Sequence, residues 1–147
     1  MRLQSLRMRT ALIAPIRLAL GAAWLVGARI AGAAPGPAYA AFGIGAVLIA
    51  FVALNDPRTR VLRREPRPLP EGEEIRLDPP WRHAVAAAFP STVGLTILAA
   101  VTVVPAPVLT AILAGATAGL GLAAALSLPG LDESLLVDPR RSIVYRR

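Results

Sequence analysis

VLTAILAGATAGLGLAAALSL, Val108–Leu128, runs for 21 residues without a charged side chain, between Pro105-Ala106-Pro107 and Pro129-Gly130. At ~1.5 Å per residue, a helix of that length covers the ~30 Å hydrocarbon core of a bilayer. Three more stretches share its character: Ala11–Gly32, Ala38–Leu54 and His83–Val104. Ala38–Leu54 is the shortest and needs Pro35–Pro37, or some bilayer thinning, to complete a crossing. Charge enters only the first, as Arg17 and Arg29, and His83 stands at the very edge of the third. With 55% hydrophobic residues and a mean hydropathy of +0.58 over 147 residues, the composition excludes an ordinary soluble domain.

The expected fold is an all-α membrane protein of four transmembrane helices, arranged as two antiparallel hairpins. The chain divides into a basic N-terminus (1–10), a first hairpin (11–54), a central loop (55–82), a second hairpin (83–128) and a C-terminal tail (129–147). Arginine decides the orientation. It crowds the N-terminus (Arg2, Arg7, Arg9), the central loop (Arg58, Arg60, Arg63, Arg64, Arg67, Arg76, Arg82) and the tail (Arg140, Arg141, Arg146, Arg147). The short joints Ala33–Pro37 and Pro105–Pro107 hold none, and only Arg29 lies near that side. The positive-inside rule therefore places both termini and the central loop in the cytoplasm.

The net charge of +7 is not spread evenly. In the loop, Asp56, Glu65, Glu71, Glu73, Glu74 and Asp78 nearly balance the arginines, so the excess belongs to the N-terminus, Arg17, Arg29 and the tail. Anionic headgroups are the natural partner for charge so placed, and nucleic acid is not. Lysine is absent while arginine occurs 16 times, which together with abundant alanine reads as base composition. No cysteine is present, so disulfides, thiol redox chemistry and iron–sulfur ligation are excluded. Basic residues, an apolar run and Ala31-Gly32-Ala33 imitate a secretory signal, but Arg17 interrupts the run and the span has a later counterpart. The first span is expected to be retained.

The two halves look alike. Pro35-Gly36-Pro37 and Pro105-Ala106-Pro107 stand 70 positions apart, and Ala41 and Gly45 match Ala111 and Gly115 at the same offset. Asp56-Pro57-Arg58 and Asp138-Pro139-Arg140 follow the two hairpins, and Pro15 and Pro90 fall near the cytoplasmic end of each first helix. Such a duplication is a parallel 2+2 repeat, with its axis along the membrane normal. In each joint the first proline ends one helix sharply, and the second sits in the next helix's first turn, where no N–H is needed.

Outside the spans, Asn55–Gly72 is rich in Pro and Arg and reads as extended. Glu73–Asp78 alternates charged and apolar residues as a short strand would. In the tail, Leu135-Leu136-Val137, Asp138–Arg141 and Ile143-Val144-Tyr145 read as strand, turn, strand. A lone cytoplasmic β-hairpin is marginal, so it requires the loop strand, the membrane surface or a partner; the alternative is an unstructured tail.

Packing in lipid depends on close backbone approach. Small residues recur every fourth position at Ala19, Ala23, Gly27 and Ala31 in the first helix, and at Ala111, Gly115, Gly119 and Ala123 in the fourth. These are the expected helix-packing positions, within one bundle or between copies. Pro15 and Pro90 are the expected kinks. Pro90 frees a carbonyl about one turn earlier, near Ala86, which Ser91, Thr92 or water can satisfy. Trp24 lies mid-span and its N–H needs a partner, whereas Trp81 reads as an interfacial anchor.

Arg17 is the one candidate contact for an anion, a lipid phosphate or a partner subunit. A charge there costs roughly 2.5–3.5 kcal/mol at mid-bilayer, less when a long side chain snorkels to the headgroups. No carboxylate lies within any span, which disfavours coupled cation exchange. Arg17, Ser91, Thr92 and Thr96 remain as lining for an anion pathway in an oligomer. His83 is the only histidine, so paired haem ligation within one chain is excluded, and no metal-binding, cofactor or catalytic constellation is recognised. Ser91 has no adjacent base.

Arg17-Leu18-Ala19-Leu20-Gly21 followed by Trp24 and Gly27 resembles the first helix of many small four-helix bacterial proteins, over about a tenth of the chain. The resemblance names no family and implies a bacterial inner membrane. The expected role is non-enzymatic: an accessory or assembly subunit of a larger membrane complex, in contact with other membrane subunits or with itself. The alternative is a homo-oligomeric channel or passive transporter for an anion or lipid-like species.

Overall fold

The computed structural model describes residues 2–56, 67–69, 76–138 and 143–146. The elements in chain order are β1 (Arg2–Ser5), α1 (Leu6–Ile30), α2 (Pro35–Asn55), β2 (Arg67–Pro68), β3 (Arg76–Leu77), α3 (Pro80–Ala88), α4 (Ser91–Thr102) and α5 (Pro107–Ser127). One 3-10 turn, Leu128–Gly130, then leads into β4 (Leu135–Asp138) and β5 (Ile143–Arg146). The protein is thus mostly helical, with a small sheet. Three of its helices, α1, α2 and α5 with its 3-10 extension, are long and apolar enough to cross a membrane.

Local chemistry sets the helix ends. Ser5 caps α1, its Oγ accepting from the Met8 N–H at 3.3 Å. Helix α1 then runs unbroken through Pro15. Past its far end the Arg29 guanidinium donates to the Ala33 carbonyl, in the turn that leads to α2. Helices α2 and α5 both start on proline, at Pro35 and Pro107, where a missing N–H costs nothing.

Helix α5 is the centre of the bundle. It packs along both α1 and α2, which scarcely touch one another. The first two helices are therefore antiparallel and joined by a short turn, but they do not pack as a hairpin: α5 is wedged between them. The wedge fits because the facing surfaces lack side chains. A Cβ on Gly115 would collide with the Phe42 carbonyl, one on Gly119 with the Ala46 carbonyl, and one on Gly45 with the Ile112 carbonyl. Ala111, Gly115, Gly119 and Ala123 are all buried. On the other side of α5, a Cβ on Gly21 would stand 2.8 Å from the Ala114 carbonyl oxygen.

Within the chain, the face of α1 that packs is not the row Ala19, Ala23, Gly27 and Ala31. Ala19 and Ala23 are exposed, and Gly27 and Ala31 only partly covered. The face turned inward carries Ala14, Gly21 and Ala28, spaced by sevens rather than fours, with Ile13 beside them. Alanine is frequent enough that two small-residue rows coexist on α1, and the one that meets α5's small face is the buried one.

The third apolar stretch is broken rather than kinked. Pro90 has no N–H to give and its ring excludes the preceding turn, so α3 ends with the Phe89 N–H on the Val85 carbonyl. Helix α4 opens with the Gly94 N–H on the Pro90 carbonyl, and the Phe89–Pro90 peptide is cis. Neither half reaches the length of α1, α2 or α5. Helix α3 lies against α1, and α4 against α5, where the Thr102 and Thr110 hydroxyls meet at 2.8 Å.

The sheet is larger than the tail hairpin expected from sequence. Its order is β2-β5-β4-β1-β3, with β4 antiparallel to β5 and to β1, and the two edges parallel to their neighbours. The N-terminus supplies β1, the central loop supplies both edges, and the tail supplies the rest. All three segments therefore lie at one end of the bundle. The expected tail turn falls on 139–142, and most of the central loop on 57–66 and 70–75, outside the described residues. Alternation along β4 gives both faces a core: Leu135 and Val137 join Val144, Leu131 and Leu6, while Leu136 joins Leu3, Tyr145 and Leu69.

Gly115→Val is expected to force α2 from α5 and to destabilise the detergent-solubilised protein by about 2 kcal/mol or more. Gly43→Ala, whose added Cβ meets nothing within 4 Å, is expected to be neutral or slightly stabilising in the same thermal unfolding assay.

Candidate functional site

The break between α3 and α4 creates the polar site of the bundle. Ending α3 at Ala88 leaves the last-turn carbonyls without helical partners, and beginning α4 at Ser91 puts two hydroxyls beside them. Arg17 reaches this point from α1. Its Nε donates to Thr92 Oγ1 at 2.8 Å, and its Nη2 donates to the Ala87 carbonyl at 3.0 Å and to Ser91 Oγ at 3.2 Å. The donor to an open carbonyl is thus the Arg17 guanidinium and not the hydroxyls expected from sequence, the carbonyl is that of Ala87 and not Ala86, and the two hydroxyls bond to the guanidinium. Within an apolar bundle such charge-assisted bonds replace hydration that the site cannot supply. The arginine's stem has room because α5 carries Gly121 opposite, where a Cβ would sit 3.0 Å from Arg17 Cβ.

Arg17 has five donor hydrogens, and Nε and Nη2 account for three. Nη1 has no hydrogen-bond partner among the described residues. Arg17 also lines a cleft of about 320 Å³ that opens between α1 and α5 towards the sheet end, together with Arg9, Thr10, Ser127, Ile13 and Leu120 among others. The protons of its two hydroxyls are engaged within their own helices: Thr10 donates to the Leu6 carbonyl at 2.8 Å and Ser127 to the Ala123 carbonyl at 2.7 Å. Two cations and an apolar wall are what the cleft presents.

Arg17 is evident in the sequence as a charge in an apolar run, whereas Arg9 there belongs to a basic terminus preceding the first helix. Because α1 begins at Leu6, Arg9 belongs to the same helix two turns below Arg17. The signal available was the i, i+8 spacing, which has meaning only once the helix start is known. Thr96, considered as pathway lining, donates instead to the Thr92 carbonyl at 2.8 Å.

A second polar group ties the helices to the sheet. His83, 2% exposed, accepts from the Ser5 N–H at Nε2, 3.1 Å away, while its Nδ1 lies 3.0 Å from the Pro79 carbonyl. A carbonyl can only accept, so Nδ1 carries the proton and Nε2 is the acceptor. Next to it Gln4 Nε2 donates to Asp78 Oδ2 at 3.1 Å, and Arg82 stands 3.7 Å from Asp78 and over the Trp81 ring. Gln4 Oε1 is buried without a partner among the described residues. Farther along, Arg7 pairs with Glu133. Where the tail turns towards β4, the Ser134 backbone N–H holds the Asp132 carboxyl below the usual carboxylate range.

At the opposite end, a cleft of about 380 Å³ is lined by Leu25, Val26, Arg29, Ile30 and Tyr39. Its arginine is engaged with the Ala33 carbonyl. Among the described residues no group of three or more His, Cys, Asp or Glu side chains is placed to hold a metal ion. Comparison of the chain with models of protein families, with curated proteins and with solved structures found no match.

Thr92→Val is expected to lower stability by about 1 kcal/mol, and Arg17→Met by more, because it strips the Ala87 carbonyl of its donor. A double-mutant cycle between the two is expected to give a coupling of roughly 0.5–2 kcal/mol. Strict additivity in thermal unfolding would contradict the bonded geometry.

Proposed function

We propose that this protein is a four-span integral membrane protein of the bacterial inner membrane, acting as a non-enzymatic accessory or assembly subunit of a larger membrane complex. In this reading the broken segment α3–α4 is the remaining crossing. It starts beside β3, at the sheet end, and leads to the Pro105–Pro107 joint. That joint lies near the α1–α2 turn, since Ala111 packs with Ala33 and Ala38. The arginine distribution then puts the sheet in the cytoplasm. The matched Pro-x-Pro joints keep an ancestral duplication of one hairpin as the origin we favour, overlaid by a different packing of each half.

The observation that carries the functional reading is the use made of the embedded polar groups. Arg17, Ser91 and Thr92 bind one another across the helix break, and Thr96, Thr102, Thr110 and Thr117 bond to carbonyls or to each other. The hydroxyls that would line a conducting path or a reaction centre, with two of the three Arg17 guanidinium nitrogens, are committed to holding helices together. Around them, apolar residues such as Ile44, Val47, Phe51, Val101 and Val104 stand more than half exposed, available to lipid or to neighbouring subunits.

Mass spectrometry of the complex gently extracted from its native membrane, at native expression, is expected to find a stoichiometric second protein. Recovery of a homo-oligomer alone would sink the subunit reading and make anion flux in liposomes the next measurement.

A further inference from the structure

We propose that the cleft between α1 and α5 is a binding site for a phosphate group, with Arg17 Nη1 and Arg9 as its cationic end. This goes beyond the subunit reading and does not depend on it.

Three observations support it. First, the Arg17 guanidinium is fixed by three bonds to Thr92, Ser91 and the Ala87 carbonyl, so its orientation is set before any ligand arrives. Its remaining nitrogen, Nη1, has no hydrogen-bond partner among the described residues and carries two further donors. Each can give a charge-assisted hydrogen bond to a phosphate oxygen, and preorganisation removes much of the ordering cost. Second, the cavity that Arg17 lines, about 320 Å³, has a second guanidinium, Arg9, in its lining and no carboxylate among its described lining residues. Cations gathered in a cleft with low-dielectric walls attract an anion more strongly than the same charges on a surface. Third, the wall continues as apolar surface, including Ile13, Leu120 and Ala124. A charged end and an apolar wall suit an amphiphile whose phosphate enters from the sheet end.

The same chemistry has two sources, a phospholipid headgroup and a free phosphate ion, and the experiment separates them. Full-length protein in detergent is titrated with short-chain phosphatidylglycerol, with the matching phosphatidylcholine and with inorganic phosphate, bound copies being counted by native mass spectrometry. The expected result is one tightly held phosphatidylglycerol, with phosphatidylcholine weaker by roughly tenfold because its phosphate carries a compensating cation. If inorganic phosphate displaces the lipid at millimolar concentration, the site recognises the ion itself. If it does not, the ligand is the whole anionic lipid. Either outcome supports the site.

Two variants localise the binding without touching the Arg17 bonds. Arg9→Gln removes one charge, and Ala124→Phe fills the apolar wall. Each is expected to lower phosphatidylglycerol affinity roughly tenfold, the scale of one charge-assisted hydrogen bond. Unchanged melting temperature in at least one of them keeps the comparison valid, and helicity is read on the same samples. Phosphatidylglycerol that binds no tighter than phosphatidylcholine, or equally well to wild type and a folded variant, would overturn the proposal. A stoichiometric partner protein found in the membrane would leave this result standing, so the two readings fail separately.

Discussion

The backbone of α5 lies directly against the backbone of α2, and the rest of the structure depends on that contact. Gly115 and Gly119 face the carbonyls of Phe42 and Ala46 with no side chain between. In lipid there is little hydrophobic reward for bringing helices together, so dispersion over a close, complementary surface has to supply the association. Once α5 occupies that place it separates α1 from α2. Helix α1 then needs its own small face, which Ala14, Gly21 and Ala28 provide. A central helix with two close-packed sides converts the chain from a pair of hairpins into a wedge.

That wedge leaves α3 and α4 on the periphery, and it explains the break. Outside the core, a helix interrupted at Pro90 loses little packing, provided its open carbonyl is bonded. Arg17 provides the bond from α1, and Gly121 on α5 makes room for its stem. A charged residue that looks costly in the sequence therefore compensates for a proline elsewhere in the chain. At the sheet end His83 has a comparable role, joining the start of α3 to the Ser5 N–H, where β1 passes into α1. Two polar side chains, each spanning about 70 to 80 positions in sequence, fasten the broken helix to the first one.

Long charge-free runs and Pro-x-Pro joints were legible because they rest on length and on the geometry of one residue type. The row Ala111–Gly115–Gly119–Ala123 was legible for the same reason, since on α5 almost every inward position is small. On α1 the equivalent reading chose Ala19 and Ala23, because two small rows exist and only the partner surface selects between them. Strands β4 and β5 were visible as apolar runs about a turn. Strand β1 was not, since Arg2-Leu3-Gln4-Ser5 has one apolar residue and becomes a strand through pairing with β4 and β3. Arg17 was evident as a charge in an apolar run. Arg9 was not, because its membership of the cleft depends on where α1 starts, and that start is set by the Ser5 cap at the rim of a sheet built from three separate segments.

A chain that crosses the bilayer four times has the sheet on one side and both Pro-x-Pro joints on the other. The chain has no cysteine, so single cysteines can be introduced one at a time and probed in intact cells with a membrane-impermeant maleimide. With four crossings, labelling from outside is expected at Gly36→Cys in the first joint and at Ala106→Cys in the second. Arg7→Cys and Glu133→Cys, at the sheet end, are expected to react only after the cells are opened. Ala106→Cys protected in intact cells while Gly36→Cys reacts would contradict four crossings, since the broken segment α3–α4 would then not cross.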